Sequence, residues 1–299
     1  MEAAFVRYAR ESWSLPLPVT IALIFATLVY LRGWLHLRQA YPAAISVWRA
    51  AAFVCGVLFV WIAVGSPLGE LDEELLWVHM VQHLLLMTVA PPLLLLGAPG
   101  LPLLHGLPRI FSQKVLGPFL RWSMVQWLGR VITQPVFCWL AATTALLAWH
   151  HPAVFVLGLE SHSWHEVEHA SFLAAGLLFW WPVIRPWPSA ERQVRWSIVL
   201  YLFLATLPCD ALSAFLTFCG HVVYTPYLLA PRLFGVSALQ DQAFAGALMW
   251  VSVTFAYLIP AAFLTTHFLS NAGVEDEGLI ARQQHARPEI QARRPTAAG

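Results

Sequence analysis

Residues 75–97 read LLWVHMVQHLLLMTVAPPLLLLG, an apolar run that contains two adjacent prolines. A helix that spans a membrane needs about 20 mostly apolar residues, and this run is long enough. Pro91 and Pro92 do not exclude a span, because neighbouring helices can pair with the carbonyl groups that a proline leaves free. We therefore expect one bent membrane-spanning helix that packs against other helices.

The rest of the chain has the same character. Of its 299 residues, 59% are hydrophobic and 11% are charged, whereas a soluble domain carries about 25% charged residues. Only Lys114 is a lysine and it lies in a polar connector, which excludes a retinal pump, because that class needs a lysine inside a helix. The sequence therefore predicts an all-α membrane protein, a bundle of seven transmembrane helices over residues 1–270. The other six spans are predicted at residues 16–35, 46–65, 132–149, 168–184, 196–219 and 243–268.

The basic residues predict the orientation. Of the 17 lysines and arginines, 14 fall in one set of connecting segments and only Arg7, Arg10 and Arg232 fall in the opposite set. Because basic residues collect on the cytoplasmic side, we expect the N-terminus outside and the C-terminus in the cytoplasm of a bacterial inner membrane. Residues 100–131 are predicted to form interfacial helices on the inner leaflet. Residues 271–299 are predicted to form a disordered cytoplasmic tail.

Most histidines fall on the outer side in this topology. The i, i+4 spacing of His79 and His83 puts both on one face of the third helix, and His162, His165 and His169 form a stripe on the fifth. The outer connectors at residues 66–74 and 150–167 carry several carboxylates and no lysine or arginine, which suits a bound cation better than an anionic substrate. Eight of the twelve histidines belong to this outer set: His79, His83, His150, His151, His162, His165, His169 and His221.

Paired histidines on two neighbouring helices present imidazoles at a spacing that suits one metal ion. Imidazole suits copper, zinc, iron and nickel, and the thioether of Met87 shifts the preference towards Cu(I). Either Glu166 or Glu168 is the expected acceptor that fixes the tautomer of a ligating imidazole. Ionisable residues are costly at membrane depth and usually face the bundle interior or a cavity. We therefore predict an outward-facing metal site.

Several segments of the chain resemble a known family. Residues 79–87, HMVQHLLLM, followed by APP at 90–92 and LGAP at 96–99, resemble the signature of the polytopic CtaG-type cytochrome c oxidase assembly factors, which serve caa-type haem–copper oxidases. The resemblance covers roughly residues 70–270, and His151 is an imidazole beyond the usual pattern. The further matching segments follow in the same order: WH at 149–150, residues 165–169, FWWP at 179–182, residues 207–227 and residues 241–250.

The resemblance implies a non-enzymatic assembly factor that delivers copper, expected as Cu(I), to the His-ligated copper site of the oxidase catalytic subunit. The implied partners are that subunit, the lipid bilayer and a periplasmic copper donor, and no nucleic acid is expected. On this interpretation the metal ligands are His79, His83, His150, His165 and His169. The auxiliary or supporting positions are Glu168, Asp241, Met249, Asp210, His162 and Met87.

The residues also leave two other functions open. Histidines on facing helices can bind haem from both sides, which would make the chain a bis-histidine electron carrier. Asp210 in the sixth helix would serve a copper or proton transporter, although the inner halves of the helices carry little ionisable chemistry. An enzyme is the least favoured class, because the sequence shows no nucleophile–base pair and no phosphate-binding loop.

Overall fold

The computed structural model describes residues 16–40, 46–66, 68–185 and 196–292, and in this part of the chain every regular element is helical. The all-α prediction is therefore confirmed. Seven long helices form the architecture: α1 (Leu17–Ala40), α2 (Val47–Gly65), α3 (Leu76–Leu96), α4 (Pro135–Trp149), α5 (His162–Ile184), α6 (Trp196–Phe218) and α7 (Ala238–Ala292). Shorter helices lie between them: Leu68–Leu71, Gly100–Gly106, Arg109–Phe111, Ser112–Leu116, Gly117–Arg121, Ser123–Ile132, Pro152–Glu160, Pro226–Leu229 and Leu233–Gly235.

Six helices are long and apolar enough to cross a membrane, namely α1, α2, α3, α5, α6 and the Ala238–Thr266 part of α7. The chain is therefore a multi-pass membrane protein, as its composition predicts. α4 has 15 residues. A helix of that length reaches about 22 Å, which is less than the roughly 30 Å hydrocarbon core. With Ser123–Ile132, from which it is bent by 68°, α4 can form a broken span. The seventh crossing and the orientation of the termini remain predictions.

Proline explains the break in the fourth predicted span. Pro135 is the first residue of α4, where its missing N–H leaves no helical hydrogen bond unmade. The preceding residue, Gln134, is extended with ψ of 135°, because a proline disfavours the helical conformation of the residue before it. The predicted helix over 132–149 therefore begins at Pro135, and Ile132 is the last residue of a separate helix.

Residues 100–131 form a series of short helices in which many apolar side chains are exposed. Examples are Phe111, Phe119, Trp122 and Trp127. Such exposure is typical of helices that lie on a bilayer surface, and their place on the inner leaflet stays a prediction. At the other end, α7 continues to Ala292 through residues that the sequence predicts as a disordered tail. Residues 293–299 lie outside the described part. Six of the basic residues that predict the orientation also lie outside it, namely Arg7, Arg10, Arg192, Arg195, Arg293 and Arg294.

α3 changes its helical geometry at its middle, where a π-helical turn, Leu85–Val89, precedes Pro91. Pro91 has no N–H, so the Met87 carbonyl four residues earlier lacks its usual helical partner. The indole Nε1–H of Trp180 in α5 donates to that carbonyl at 3.2 Å. α5 approaches closely here, because a Cβ on Gly176 would lie 2.7 Å from Pro91 Cγ. Because Pro91 leaves the Met87 carbonyl free, that carbonyl forms a hydrogen bond between α3 and α5, the two helices that carry the paired histidines.

Two buried side chains hold the first half of α3 against its other neighbours. Asp241, in the first turn of α7, accepts the backbone N–H groups of Leu76 at 2.7 Å and Trp77 at 3.1 Å. These N–H groups begin α3 and have no partner within the helix. The side-chain amide of Gln82 donates to the Ala63 carbonyl in α2 at 3.0 Å. With α2 and α7 holding it in place, α3 presents its paired histidines towards α5.

Candidate metal centre

Side chains of α3 and α5 meet in a cluster of imidazole rings. The ring centroids of His79 and His83 are 4.2 Å apart, and those of His165 and His169 are also 4.2 Å apart. Between the helices, His79 lies 5.6 Å from His165, and His83 lies 6.2 Å from His169. His150, directly after α4, lies 6.0 Å from His83. The fold thus brings together the five histidines that are predicted as ligands.

Glu168 lies between two of these rings. Its Oε1 is 3.2 Å from His83 Nε2 and 3.6 Å from His79 Nε2. All three side chains are buried, and none of these three atoms has a hydrogen-bond partner within the described residues. The three donor atoms lie within 4.8 Å of one another, so the group can hold a metal ion. The sequence predicts a supporting role for Glu168, whereas its carboxylate can itself be a ligand, because it lies within 4.8 Å of both imidazole nitrogens.

A second donor group forms on the other side of His79. Asp72 Oδ2 lies 3.2 Å from His165 Nε2 and 3.9 Å from His79 Nδ1. Asp72 is fully buried, and neither of its carboxylate oxygens has a hydrogen-bond partner in the part of the chain that the structure describes. These three donor atoms also lie within 4.8 Å of one another. The two groups share His79, which offers Nδ1 to one and Nε2 to the other.

Asp72 is the site residue that sequence reasoning missed. It lies in a connector with three other acidic residues, Glu70, Glu73 and Glu74, and only the acidity of the whole connector pointed to a cation. Tyr227 positions Asp72, because its hydroxyl donates to the Asp72 carbonyl at 2.6 Å. Burial, with the Asp72 carboxylate nearby, raises the pKa of Tyr227 well above its ordinary value, so the phenol stays a protonated donor.

Aromatic rings and one glycine shape the wall of the cluster. Phe155 and Phe172 pack against the histidine rings, and the centroid of Phe172 lies 4.2 Å from that of His83. Gly158 leaves room for Glu168, because a Cβ at this position would lie 2.8 Å from Glu168 Oε2. The carboxylate and the imidazoles are therefore enclosed by largely apolar surroundings, in which an electrostatic interaction is stronger than in water.

The charges of the cluster favour a cation. Asp72 and Glu168 are buried carboxylates, and across the described ranges their ion-pair partners are imidazoles. A buried ionised carboxylate is strongly unfavourable unless it is paired. Either protons on the histidines or a metal ion can supply the positive charge. A metal ion has to displace those protons, because only the neutral imidazole is a ligand.

His150 adds softer donors beside the cluster. Its Nδ1–H donates to the Leu146 carbonyl at 2.7 Å, which leaves the lone pair of Nε2 facing Met80 Sδ at 3.4 Å. Met87 and Met249 line the same cavity as Met80. Thioether and imidazole donors together favour Cu(I) over harder cations.

Three predicted auxiliary residues lie outside both donor groups. His162 is exposed in the first turn of α5, where its Nε2 lies 3.5 Å from a carboxylate oxygen of Glu166. Asp210 in α6 has a buried oxygen without a hydrogen-bond partner among the described residues, but it belongs to neither group. The carboxylate of Asp241 is engaged with the start of α3. The geometry therefore favours His79, His83, His165, Glu168 and Asp72 as ligands, whereas the predicted ligands His150 and His169 lie beside the two groups and belong to neither among the described residues.

Comparison with known proteins agrees with the resemblance seen in the sequence. The family described as cytochrome c oxidase caa3 assembly factor (Caa3_CtaG) matches residues 28–271. Similar curated proteins are uncharacterized proteins of Mycobacterium bovis and Mycobacterium tuberculosis, each 24% identical over 292 residues, which cover 88% of this chain and 43% of the relative. An uncharacterized protein of Mycobacterium leprae is 24% identical over 237 residues, which cover 77% of this chain and 35% of the relative. The chain thus spans less than half the length of these relatives, and no solved structure matches it.

Proposed function

The chain belongs to the family of cytochrome c oxidase caa3 assembly factors, and we propose that in this role it delivers copper to the His-ligated copper site of the oxidase catalytic subunit. It acts as a carrier and not as an enzyme, and copper is its cargo. The histidine cluster holds the ion on the outer side of the bacterial inner membrane. A periplasmic donor supplies the copper, and the catalytic subunit receives it.

The buried group of His79, His83 and Glu168 carries this proposal. Two imidazole nitrogens and a carboxylate oxygen converge there, and no hydrogen bond from the described part of the chain engages them. Buried polar atoms in folded proteins almost always have a hydrogen-bond partner, so three ligand atoms without one at a single point support a bound ligand. Imidazole is a good copper ligand, and Cu²⁺ binds such sites more tightly than the other divalent first-row metals.

The donor set also suits release. Three protein ligands leave one coordination position of the copper ion open, so an imidazole of the acceptor can bind the ion before the carrier's ligands dissociate. A carboxylate is a hard donor and a weak partner for Cu(I), which makes Glu168 the ligand that is easiest to replace. The thioethers of Met80, Met87 and Met249 line the adjoining cavity and favour Cu(I) as the delivered form.

The packing of the rings favours a single ion over haem. A haem held by two histidines needs its planar macrocycle between their rings. The facing ring centroids are 5.6 Å apart for His79 and His165 and 6.2 Å apart for His83 and His169. The rings of His79 and Phe172 each lie 4.2 Å from that of His83, so side chains occupy space that a macrocycle beside His83 would need. A transporter that works through Asp210 finds less support, because Asp210 belongs to neither donor group among the described residues.

The test combines the copper content of the detergent-purified full chain, under reducing conditions, with oxidase assembly in cells. His79→Ala removes the ring that both donor groups share, so we expect the variant to reach the membrane, to lose copper and to leave the oxidase unassembled. His162→Ala is the matched control, because His162 is an exposed histidine on α5. It should keep both copper and oxidase. Wild-type protein without copper would leave only a scaffolding role, and normal oxidase with His79→Ala would discard the site.

A further inference from the structure

His79 offers its two ring nitrogens to two different donor sets, and we propose that copper binds this chain at two alternative stations that share this ring. The Glu168 station consists of Glu168, His83 and His79 Nε2. The Asp72 station consists of Asp72, His165 and His79 Nδ1. The two stations deepen the copper function proposed above and rest on it.

The two stations are built from the same donors in similar geometry. In each, a carboxylate oxygen lies 3.2 Å from the Nε2 of a histidine that belongs to that station alone. The same oxygen lies 3.6 Å or 3.9 Å from a nitrogen of the shared ring. Across the described residues, none of these donor atoms has a hydrogen-bond partner. Because donor types and spacings match, the two stations have comparable affinities for copper.

The chemistry of His79 makes occupation of the two stations mutually exclusive. A neutral imidazole carries a proton on one nitrogen and a lone pair on the other, so it ligates through one nitrogen at a time. With copper at the Glu168 station, the Nδ1–H faces Asp72, and with copper at the Asp72 station, the Nε2–H faces Glu168. The carboxylate of the station without copper then orients the shared ring, as carboxylates commonly do for ligating histidines.

The stations differ in their access to the outside. The side chain of His165 is 15% exposed, whereas those of Asp72, His79, His83 and Glu168 are between 0% and 6% exposed. Copper that arrives from outside therefore meets the Asp72 station first. This makes the Asp72 station the entry position, and the Glu168 station, which adjoins the methionine-lined cavity through His83, is the deeper position.

Titration of the detergent-purified full chain with copper against a competing chelator tests the two stations. His83→Leu removes a ligand of the Glu168 station alone, and His165→Leu removes one of the Asp72 station alone. Because alternative stations act in parallel, each single variant keeps one copper per chain. Its Kd rises about twofold for equal stations, and by no more than about tenfold for stations whose affinities differ by up to about ninefold. The double variant loses both, and its Kd rises at least about 100-fold. His162→Leu, the matched control on α5, binds as the wild type does.

The outcomes separate the stations from the function on which they rest. A single variant as weak as the double variant would overturn the two stations, because only one would exist, and the copper function would stand. Two coppers per wild-type chain would also overturn the inference, since the ring would then serve both stations at once. Wild-type protein that binds no copper would refute the proposed function itself. If a leucine variant does not fold, the isosteric substitutions Asp72→Asn and Glu168→Gln, alone and together, replace His165→Leu and His83→Leu in the same comparison.

Discussion

Replacing Asp241 by alanine removes both hydrogen bonds that hold the start of α3. The carboxylate accepts the N–H of Leu76 at 2.7 Å and the N–H of Trp77 at 3.1 Å, and the side chain is 4% exposed. No other residue in the described part of the chain is paired with these two N–H groups through a side chain. Asp241→Ala therefore leaves the first turn of a membrane-spanning helix without a cap.

The expected cost follows from the burial of the two N–H groups. A buried N–H left unpaired costs about 1–3 kcal/mol, and loss of a helix cap costs about 0.5–2 kcal/mol. Leu76 is buried and Trp77 is half-buried. We therefore expect the free energy of unfolding to fall by about 2–4 kcal/mol, which corresponds to a Tm lower by roughly 3–6 °C for a chain of 299 residues. Asp241→Asn keeps one acceptor and should lose about half as much.

Thermal unfolding of the detergent-purified variants measures this loss, with copper per folded chain determined on the same samples. Asp210→Ala is the control, because it removes a carboxylate from α6 without removing a hydrogen bond that the structure describes. Its free energy of unfolding should stay within about 0.5 kcal/mol of the wild type. An unchanged Tm for Asp241→Ala would refute the capping role. A folded Asp241→Ala variant with an unchanged Tm and without copper would show instead that Asp241 is a ligand.

Two further substitutions probe the packing around the cluster. Gly158→Ala puts a Cβ 2.8 Å from Glu168 Oε2, so the carboxylate must move about 0.6 Å to reach the 3.4 Å of an ordinary contact. This displacement exceeds the roughly 0.2 Å tolerance of a metal–ligand distance. The substitution is made together with His165→Leu, so that only the Glu168 station remains, and the copper Kd should then rise at least about tenfold. An unchanged Kd would contradict the role of Glu168. Gly129→Ala is the control, because a Cβ at Gly129 would have nothing within 4 Å. Trp180→Phe removes the donor to the carbonyl that proline frees in α3, so unfolding should become easier by about 1–3 kcal/mol. Thermal unfolding measures this, and an unchanged Tm would show that the carbonyl needs no indole partner.

The amino-acid sequence by itself determines that the chain is a helical multi-pass membrane protein with histidines paired on helix faces. Span length depends on the number of consecutive apolar residues, and the i, i+4 spacing places His79 beside His83 in any helix. The length of a span and the face that a histidine occupies are local properties, so they do not depend on how the helices pack against one another. The sequence determines the fourth crossing less well. Ser123–Ile132 and Pro135–Trp149 are together apolar enough for one span, but the extended residue before Pro135 separates them into two short helices.

Only the tertiary structure decides what the acidic residues near the cluster do. Asp72 and Asp241 both lie close to helix ends, and no spacing rule distinguishes a metal ligand from a helix cap there. The Asp72 carbonyl accepts a hydrogen bond from Tyr227, which is 155 residues away in sequence. The Asp241 carboxylate accepts one from Leu76, which is 165 residues away. Contacts between residues so far apart depend on how the helices pack against one another, and local periodicity does not encode that packing.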